Sequence, residues 1–593
     1  MIMSAIKKIV SLLTLLFFTT LFSGCKKLFD VQPEQALDKE EVYQNVYDAD
    51  AAVLGLYGKF LQLAKQYVVL NELRADLMDA TLNADEDLKQ VNEHTVTEDN
   101  PYADPRPFYE VILNCNDILK NFDIMRDGKK FKEDEYRQRY SDVAALRAWV
   151  YLQAGIQFGK IPYITEPFET VNDVKNEAKY PRLDLKTLID SLVNSTERIP
   201  YKELYPTGAS LITNVDGYNT AKFFINKKCL LGDLYLWRSA FTGSTADSRK
   251  AAENYKDVME TYGTNVDNYR VRFSDVTKNV DIAINYWGDA RINQYDERRL
   301  VDVNTSGWRS IFARGQDDLY NQEWIWMLYF DKGFKPENPF IDLFSNRGGR
   351  YQLKPSQAAI DFWNSQVQSE NNFPYDARGR LTYKTLGSQP VITKYLYNYL
   401  TEDTYVPVSV LEKPGKWFLY RAAQLHLRYS EAANRDGRSR IAYALVHNGI
   451  AYNFDSNPGA GTSRDVTNTQ QTFDIYPYNF DARMGDYPSY RAPWHRNVGV
   501  RGRAHLTSAP IPSGADSVLT IEDRIITESA LELAYEGTRW QDLMRVAIRR
   551  NDAGFLATRV AAKFEKAGNA GLASSIKAKL MNQNNWYLPF KWK

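Results

Sequence analysis

The stretch from Ile521 to Arg550, IEDRIITESALELAYEGTRWQDLMRVAIRR, is the most strongly patterned helical segment of the 593-residue chain. Apolar residues recur at helical spacing on both sides of Glu536-Gly537, which predicts two helices with one apolar face each. These apolar positions are Ile526, Ala530, Leu533 and Ala534, then Trp540, Leu543, Met544, Ala547 and Ile548. The stretch therefore predicts a pair of helices that pack on a core.

Three glutamates, Glu528, Glu532 and Glu536, recur at every fourth position of this stretch, with Arg539 just beyond them. Two carboxylates can serve as the acid and base of a glycosidase when they lie across a substrate. Residues four apart instead share one helix face, where glutamate and arginine form ion pairs. We therefore predict a structural network of Glu532, Glu536 and Arg539, and we predict no catalytic residue.

Helical patterns also fill residues 40–262, where helices follow one another with short turns. The segment Glu133–Phe158 is apolar almost all round and is followed by Gly159, which predicts a buried helix that ends there. Helix pairs in series predict a tetratricopeptide-like scaffold, although no clean repeat period is visible. One interruption, Leu82–Arg106, is polar and predicts a long loop of the kind that often binds ligands.

The texture of the chain changes over residues 263–416, where Gly, Asn, Asp and Pro are scattered between short aromatic or β-branched runs. The run WIWMLYF, Trp324–Phe330, predicts a strand. Helical patterns return over residues 417–593 and complete the scaffold. The predicted fold is mainly α, with a helix-pair scaffold and an irregular, loop-rich inserted region that contains short strands.

Composition excludes several functions. Lys+Arg and Asp+Glu are equal at 74 each, so the chain has no overall basic field that would attract nucleic acid. The five histidines form no metal-ligand pattern, and no phosphate-binding loop or other cofactor motif is present, so we predict neither metal nor cofactor. Aromatic residues make up 13% of the chain, and a surplus of Trp and Tyr suits a surface that stacks sugar rings.

Residues 1–24 have the form of an export signal. Lys7 and Lys8 precede an apolar segment too short to span a membrane comfortably, and Ser23-Gly24 supply small residues at a cleavage point. The sequence LFSGC resembles a bacterial lipobox, in which Cys25 becomes the lipidated first residue. We predict lipidation at Cys25, followed by a tether over residues 25–39. The alternative is ordinary secretion with an incidental cysteine.

Five blocks of sequence, taken in order, resemble the SusD/RagB family of outer-membrane nutrient-binding lipoproteins from the Bacteroidetes. The last block shows the family pattern at Glu532, Leu533, Glu536, Gly537, Arg539, Asp542 and Leu543. The blocks are CKKLFDVQPEQAL, FYEVILNCNDIL, VAALRAWVYLQAGIQFGKIPYITEP, WFLYRAAQLHLRYSEAANRDGR and ESALELAYEGTRWQDLMR. The resemblance implies a helical fold with tetratricopeptide-like pairs and an irregular insertion. It also implies a lipid-anchored, cell-surface position in the outer membrane, docked on a SusC-like TonB-dependent barrel that imports the captured nutrient.

The resemblance implies that ligand binding occurs on loops at one face of the scaffold, here the Leu82–Arg106 loop and residues 263–416. Aromatic and amide side chains there are candidates for holding a sugar ring. The predicted ligand-binding residues are Asn100, Tyr102, Tyr286, Trp287 and Trp308. For each of them, burial in the core is the alternative.

The segment Tyr490–Leu506 concentrates arginines around Trp494, and such a segment can hold carboxylates of a peptide or an acidic glycan. The arginines are Arg491, Arg496, Arg501 and Arg503. We predict a structural or docking role for them rather than ligand contact. Three functions stay open: capture of a glycan, which the resemblance favours, capture of an oligopeptide as in RagB-type proteins, and a surface glycoside hydrolase.

Overall fold

The computed structural model describes eleven segments of the chain, and the predicted signal, Cys25, the tether and Arg491 lie outside them. The described residues are 42–168, 179–215, 217–260, 269–275, 280–287, 297–315, 323–332, 335–369, 372–455, 470–483 and 492–591. Within them, no helix combines the length and the apolar character needed to cross a membrane.

The first part of the chain is a series of helices in which each of the longer ones packs on the next. The helices are α1 (Val46–Phe60), α2 (Ala64–Val68), α3 (Glu86–Asn92), α4 (Arg106–Asp127), α5 (Glu133–Phe158), α6 (Leu185–Glu197), α7 (Lys227–Thr242) and α8 (Thr245–Glu260). Contacts run from α4 to α5, then to α6, α7 and α8. Helix α5 has the predicted bounds, and Gly159 follows it with a positive φ of 73°.

The inserted region contributes short helices, and long helices return after it. The short ones are α9 (Ser310–Ala313), α10 (Pro339–Phe344), α11 (Gln357–Asn364) and α12 (Ala377–Thr382). The later ones are α13 (Ala422–Arg435), α14 (Ser439–Val446), α15 (Gly449–Asn453), α16 (Val500–Arg503), α17 (Ser517–Glu532), α18 (Arg539–Arg550), α19 (Ala553–Lys566) and α20 (Ala570–Leu580). Helix α8 packs directly on α13, so the scaffold continues across the insertion. The predicted fold class is confirmed.

Strands are short, and in the described residues each pairs with one antiparallel neighbour. They are β1 (Met78–Ala80), β2 (Ile161–Pro162), β3 (Arg182–Leu183), β4 (Asn214–Val215), β5 (Tyr218–Asn219), β6 (Ser274–Asp275), β7 (Val280–Asp281), β8 (Trp324–Phe330), β9 (Leu353–Pro355), β10 (Tyr383–Leu386), β11 (Gln389–Ile392) and β12 (Gly415–Arg421). The pairs are β1–β9, β2–β3, β4–β5, β6–β7, β8–β12 and β10–β11.

The ribbon of β8 and β12 is buried along its whole length and joins the insertion to the scaffold. Its tryptophans Trp326 and Trp417 pack on Phe60 of α1 and Trp149 of α5, with the Phe60 and Trp326 rings stacked at 5.6 Å. The strand at Trp324–Phe330 was predicted. A helix starting at Trp417 was also expected there and is wrong, because the aromatic run pairs with β8 and the helix begins at Ala422.

The segment Leu82–Arg106 also differs from the predicted loop, because it contains α3 and a 3₁₀ turn at Pro101–Ala103. The Asp85 carboxylate caps α3 by accepting the N–H of Leu88 at 3.0 Å. Some of the polar Asp and Asn residues that predicted a loop, such as Asp85 and Asn100, thus cap helical turns. This segment packs on the scaffold through the buried Leu88 and Val91.

The predicted closing helix pair is α17 and α18, joined by a turn that the N-terminal part of the chain supports. The buried Glu72 carboxylate accepts backbone N–H groups of Tyr535, Gly537, Thr538 and Arg539. Gly537 has φ +85°, and a Cβ there would clash with the ring of Tyr67. The Glu-Gly pair of the quoted stretch therefore marks a tight turn built against α2 and the residues that follow it.

Candidate functional site

Glu532, the last residue of α17, is fully buried and accepts hydrogen bonds from three arginines. Its Oε1 lies 2.8 Å from Arg421 Nη1 and 2.8 Å from Arg503 Nη2, and its Oε2 lies 2.8 Å from Arg378 Nη1. Burial raises the pKa of Glu532, but the three guanidinium groups together lower it well below its usual value. We call Glu532 and the charged groups around it, Glu323, Arg378, Lys394, Arg421, Arg503, Glu528 and Glu536, the Glu532 network.

Glu536 and Arg539 are placed differently from the prediction, because α17 ends before either of them. Glu536 lies in the turn and pairs with Arg421 and Lys394, each at 2.8 Å. Arg539 pairs with Asp76 at 2.7 Å, so the predicted pairing of Arg539 with the glutamates is wrong. The carboxylates of the ladder are buried against cations, which leaves them no access to a substrate as an acid and base pair.

Asn100 and Tyr102, predicted to contact ligand, are buried, at 3% and 7% exposure. The Asn100 side chain accepts the backbone N–H of Tyr102 at 2.9 Å and donates to the carbonyl of Asp87 at 3.1 Å. It lines a hollow of about 150 Å³, but its amide is already used to cap the 3₁₀ turn. The prediction of ligand contact is corrected for both residues, because both are buried and the Asn100 side chain caps the turn.

Of the three predicted residues in the insertion, two are buried and one is exposed. Tyr286 is 6% exposed and its backbone pairs with Leu300, while Trp308 is 1% exposed and donates its indole N–H to Glu532 at 3.2 Å. Ligand contact is corrected for these two as well. Trp287 is 55% exposed, and it is the one exposed tryptophan in the part of the chain that the structure describes. Most of the described tryptophans therefore belong to the hydrophobic core.

In the arginine-rich segment, Arg501 and Arg503 are buried and Arg496 is exposed. Arg503 pairs with Glu323 and Glu532, and Arg501 pairs with Glu528 at 3.2 Å. Trp494 is buried at 1% exposure. Arg501 and Arg503 thus belong to the interior and are not available to bind a peptide carboxylate.

A polar cleft of about 440 Å³ opens in the inserted region, and we call it the Asp302 cleft. It is larger than three other hollows of about 300, 150 and 100 Å³. Its walls come from the chain at Leu300, the end of α11, the end of α12 and strand β10. The lining residues are Leu300, Asp302, Asn364, Arg380, Tyr383, Lys384 and Thr385.

Ion pairs organise the side chains of this cleft without burying all of them. Asp302 Oδ1 lies 2.9 Å from Nη1 of the buried Arg309, and its other oxygen is bonded to the Lys384 ammonium. Burial raises the pKa of Asp302, but Lys384 and Arg309 together hold it below its usual value. Arg380 donates to the Tyr383 hydroxyl at 2.9 Å. The Asp302 and Lys384 side chains keep 22% and 19% exposure, so a ligand can reach them.

The backbone of Trp287 lies beside a chain segment that lines the Asp302 cleft. Its neighbour Tyr286 pairs with the cleft-lining Leu300, and the Trp287 N–H donates to the Arg299 carbonyl at 2.7 Å. Exposed amide and hydroxyl groups of Asn364 and Thr385 stand on the cleft wall. The arrangement offers hydrogen-bond donors and acceptors with an exposed aromatic ring nearby, which is the chemistry that holds a sugar.

Asp302, Arg380 and Lys384 are not among the residues predicted from the sequence to bind ligand. Asp302 lies in an irregular segment, and Arg380 and Lys384 lie about 80 residues further on, where they look like ordinary surface charges. The predicted boundaries did include them, since the whole range 263–416 was assigned to ligand binding. Their proximity to one another results from the packing of α12 and β10 against the chain at Leu300.

No family model matches the chain, and no curated protein matches it. Solved structures do match. A surface glycan-binding protein A from Bacteroides uniformis is 14% identical with a TM-score of 0.57, over 92% of this chain and 96% of that one. A SusD superfamily protein from Bacteroides vulgatus is 14% identical with a TM-score of 0.56, over 93% and 100%. A laminarin-binding SusD-like protein is 16% identical with a TM-score of 0.54, over 92% and 96%.

The helical scaffold with its irregular insertion is a known class of fold, and the matching structures identify which one. The chain has the SusD-like fold over nearly its whole length. The predicted resemblance to the SusD/RagB family is thus confirmed at the level of the fold. Among the described residues, no group of three or more His, Cys, Asp or Glu side chains is arranged to hold a metal ion.

Proposed function

We propose that this protein is a non-catalytic member of the SusD/RagB family that captures a glycan at the bacterial cell surface. The observation that carries the proposal is the polar Asp302 cleft in the insertion of a SusD-like fold. One neighbour of the same fold is a laminarin-binding protein, and another is a surface glycan-binding protein. The five sequence blocks, which span most of the chain after Cys25, support family membership independently of the fold.

In this proposal the ligand enters the Asp302 cleft and contacts the nearby, exposed Trp287. Hydroxyl groups of a sugar ring bond to Asn364 and Thr385 and to the charged groups of the cleft, while the apolar face of a ring stacks on the indole.

The proposal extends to the setting that the sequence resemblance implies. Cys25 carries the lipid, the chain stands at the outer membrane, and the ligand passes to a SusC-like TonB-dependent barrel for import. The test of the anchor is Cys25→Ala, which we expect to release the protein from the membrane fraction. A variant that still carries lipid would contradict the assignment. Co-purification of the unmodified protein with a TonB-dependent barrel tests the partner.

Binding itself is tested with purified protein from Lys26 onward, screened by affinity electrophoresis against polysaccharides and in parallel against oligopeptides. We expect glycan binding that Thr385→Trp abolishes, because the exposed Thr385 lines the cleft and an indole there fills it. Thr207→Trp is the matched control, since Thr207 is exposed on a turn that does not line the cleft.

Each other outcome of this screen contradicts a defined part of the proposal. Binding of oligopeptides without glycans would replace glycan capture by the RagB-type alternative. Glycan binding that Thr385→Trp leaves intact would move the site away from the Asp302 cleft. Hydrolysis of the bound glycan by the purified protein would contradict a non-catalytic role.

A further inference from the structure

A second hollow lies outside the inserted region, and we call it the Phe473 hollow. Its volume is about 300 Å³, and it shares no lining residue with the Asp302 cleft. Its walls come from the end of α8 and from residues 471–474, 479–481 and 493–494. Phe473 lines it and is 72% exposed, so the hollow combines a concave surface with an aromatic ring that solvent reaches.

The loop that carries Phe473 is held by hydrogen bonds at its base. The Thr472 N–H donates to the Phe480 carbonyl at 3.0 Å, and the Thr472 hydroxyl accepts the Phe480 N–H at 2.8 Å. The Tyr478 hydroxyl donates to the Asp436 carboxylate at 2.6 Å and ties the loop to the end of α13. An aromatic residue on a fixed backbone loses little conformational freedom when a ligand stacks on it.

The conformation of Phe473 is unfavourable for the fold. Its φ is +49°, in the left-handed region that bulky residues rarely adopt. Its exposed ring buries little apolar surface that could offset this cost. Residues held in such conformations cluster at ligand-binding positions. Stability of the fold therefore gives no reason for an aromatic residue here, whereas contact with a ligand does.

Two carboxylates on the wall of the hollow are compensated in charge and still partly exposed. Glu260 Oε1 lies 3.1 Å from the buried Lys256 ammonium and accepts the Trp494 indole N–H at 3.3 Å, and its side chain is 37% exposed. Asp474 accepts the Arg438 Nε–H at 2.7 Å and is 23% exposed. A carboxylate has about four acceptor positions, so both groups can accept further hydroxyl protons.

From this combination we infer that the Phe473 hollow is a second saccharide-binding site, which takes part of a neutral oligosaccharide. The apolar face of a sugar ring stacks on Phe473, and its hydroxyls donate to Glu260 and Asp474. The exposed Asn479 side chain adds an amide donor and acceptor. Among the described lining residues there is no lysine or arginine to bind an acidic sugar. The inference rests on the proposed function for the class of ligand and adds a separate place for it.

The hollow offers fewer polar groups than the cleft and one exposed ring, so we expect it to bind short oligosaccharides more weakly than the cleft. Its contribution is therefore measured with the cleft blocked. The chain from Lys26 onward that carries Thr385→Trp is titrated with millimolar laminarihexaose, maltohexaose and mannohexaose, and NMR of the sugar signals reports binding. We expect at least one of them to bind, and the addition of Phe473→Asn should weaken this binding about tenfold.

The choice of variants separates ligand contact from a structural role. Asparagine adopts a positive φ more readily than phenylalanine, so Phe473→Asn should not lower the midpoint of thermal unfolding. Phe473→Trp keeps a stacking surface and should retain binding. Ile475→Asn is the matched control, because Ile475 is 66% exposed on the same loop and does not line the hollow. Its oligosaccharide affinity should be unchanged.

The remaining outcomes distinguish failure of the inference from failure of the proposed function. If no neutral oligosaccharide binds the Thr385→Trp variant, the second site is overturned and capture at the Asp302 cleft stands. Equal weakening by Phe473→Asn and Ile475→Asn also overturns it, and indicates an apolar surface that docks a protein. If Thr385→Trp leaves the affinity of the unmodified chain intact while Phe473→Asn abolishes it, the cleft is overturned as the site and the hollow stands.

Discussion

The Glu532 network and the Asp302 cleft both contain carboxylates paired with arginine and lysine, yet they differ in their exposure to water. In the network, Glu532 is surrounded by three guanidinium groups and is fully buried. In the cleft, Asp302 has two cationic partners and stays partly exposed. Similar ion pairs thus hold the protein together in one place and remain open to ligand in the other. The two regions therefore differ in the exposure of their ion pairs to solvent and not in the kinds of charge that they contain.

The largest effect expected from this comparison is on stability, from Glu532→Ala. The substitution leaves three buried guanidinium groups without their common partner, and removal of one member of a buried ion pair costs about 3–5 kcal/mol. Urea denaturation should show this loss in the free energy of unfolding, or the variant should fail to fold. Glu412→Ala, in an exposed pair with Lys332, should be unchanged within error. A loss as small for Glu532→Ala would contradict its structural role.

Acid should weaken the fold before it affects the charges of the cleft. Burial lowers the pKa of His426 and of His447 to about 4, and both lie near charged members of the Glu532 network. The unfolded chain takes up protons near pH 6.5, where the folded one does not. Stability is therefore fully present above about pH 6.5 and falls toward pH 4, by up to about 3 kcal/mol for each histidine.

The measurement is the free energy of unfolding between pH 7.5 and 4.5, compared with the double variant His426→Asn, His447→Asn, whose profile should be flatter. Glycan binding per folded molecule should stay nearly constant over the same range, because the pKa of Asp302 lies below its usual value. A flat stability profile for the unmodified protein would refute the contribution of the histidines.

Trp308→Phe should have a smaller effect on stability. The variant leaves a small cavity and removes the indole N–H that donates to Glu532 at 3.2 Å, which together cost about 1–3 kcal/mol. Thermal unfolding measures the change, and glycan affinity should not alter. A change in affinity at unchanged stability would mean that Trp308 contacts the ligand after all.

Trp287→Ala should have the smallest effect on stability and a clear one on binding. Its ring is 55% exposed, so its loss should change the free energy of unfolding by less than about 0.5 kcal/mol. Loss of a stacking surface should weaken glycan binding about tenfold, measured by titration calorimetry. Tyr452→Ala is the control, because Tyr452 is an aromatic residue on α15 that is 70% exposed. Unchanged affinity for Trp287→Ala would remove Trp287 from the site.

Much of the fold could be predicted because its signals are local. The apolar surface of Glu133–Phe158, the Gly after it and the aromatic run at Trp324–Phe330 each specify an element over a short window. The failures occurred where tertiary partners decide. Trp417 begins a segment with a helical pattern, but this residue pairs with strand β8 as part of β12. The polar segment before α4, predicted as a loop, contains a capped helix.

The candidate site was predictable as a region but not as a set of side chains. An exposed and a buried tryptophan look alike in sequence, as Trp287 and Trp308 show. The charged residues of the cleft come from two segments about 80 residues apart, and no spacing rule connects them.

What the sequence determined by itself is the helix-pair scaffold, the irregular insertion and the resemblance carried by the Ile521–Arg550 stretch, because periodicity and turn residues act between near neighbours. What only the tertiary structure decided is the partner of each charge. Glu532 meets Arg378, Arg421 and Arg503, and Arg539 turns to Asp76, because chain packing brings these residues together from distant positions. The same packing buries the network and leaves the Asp302 cleft open to solvent.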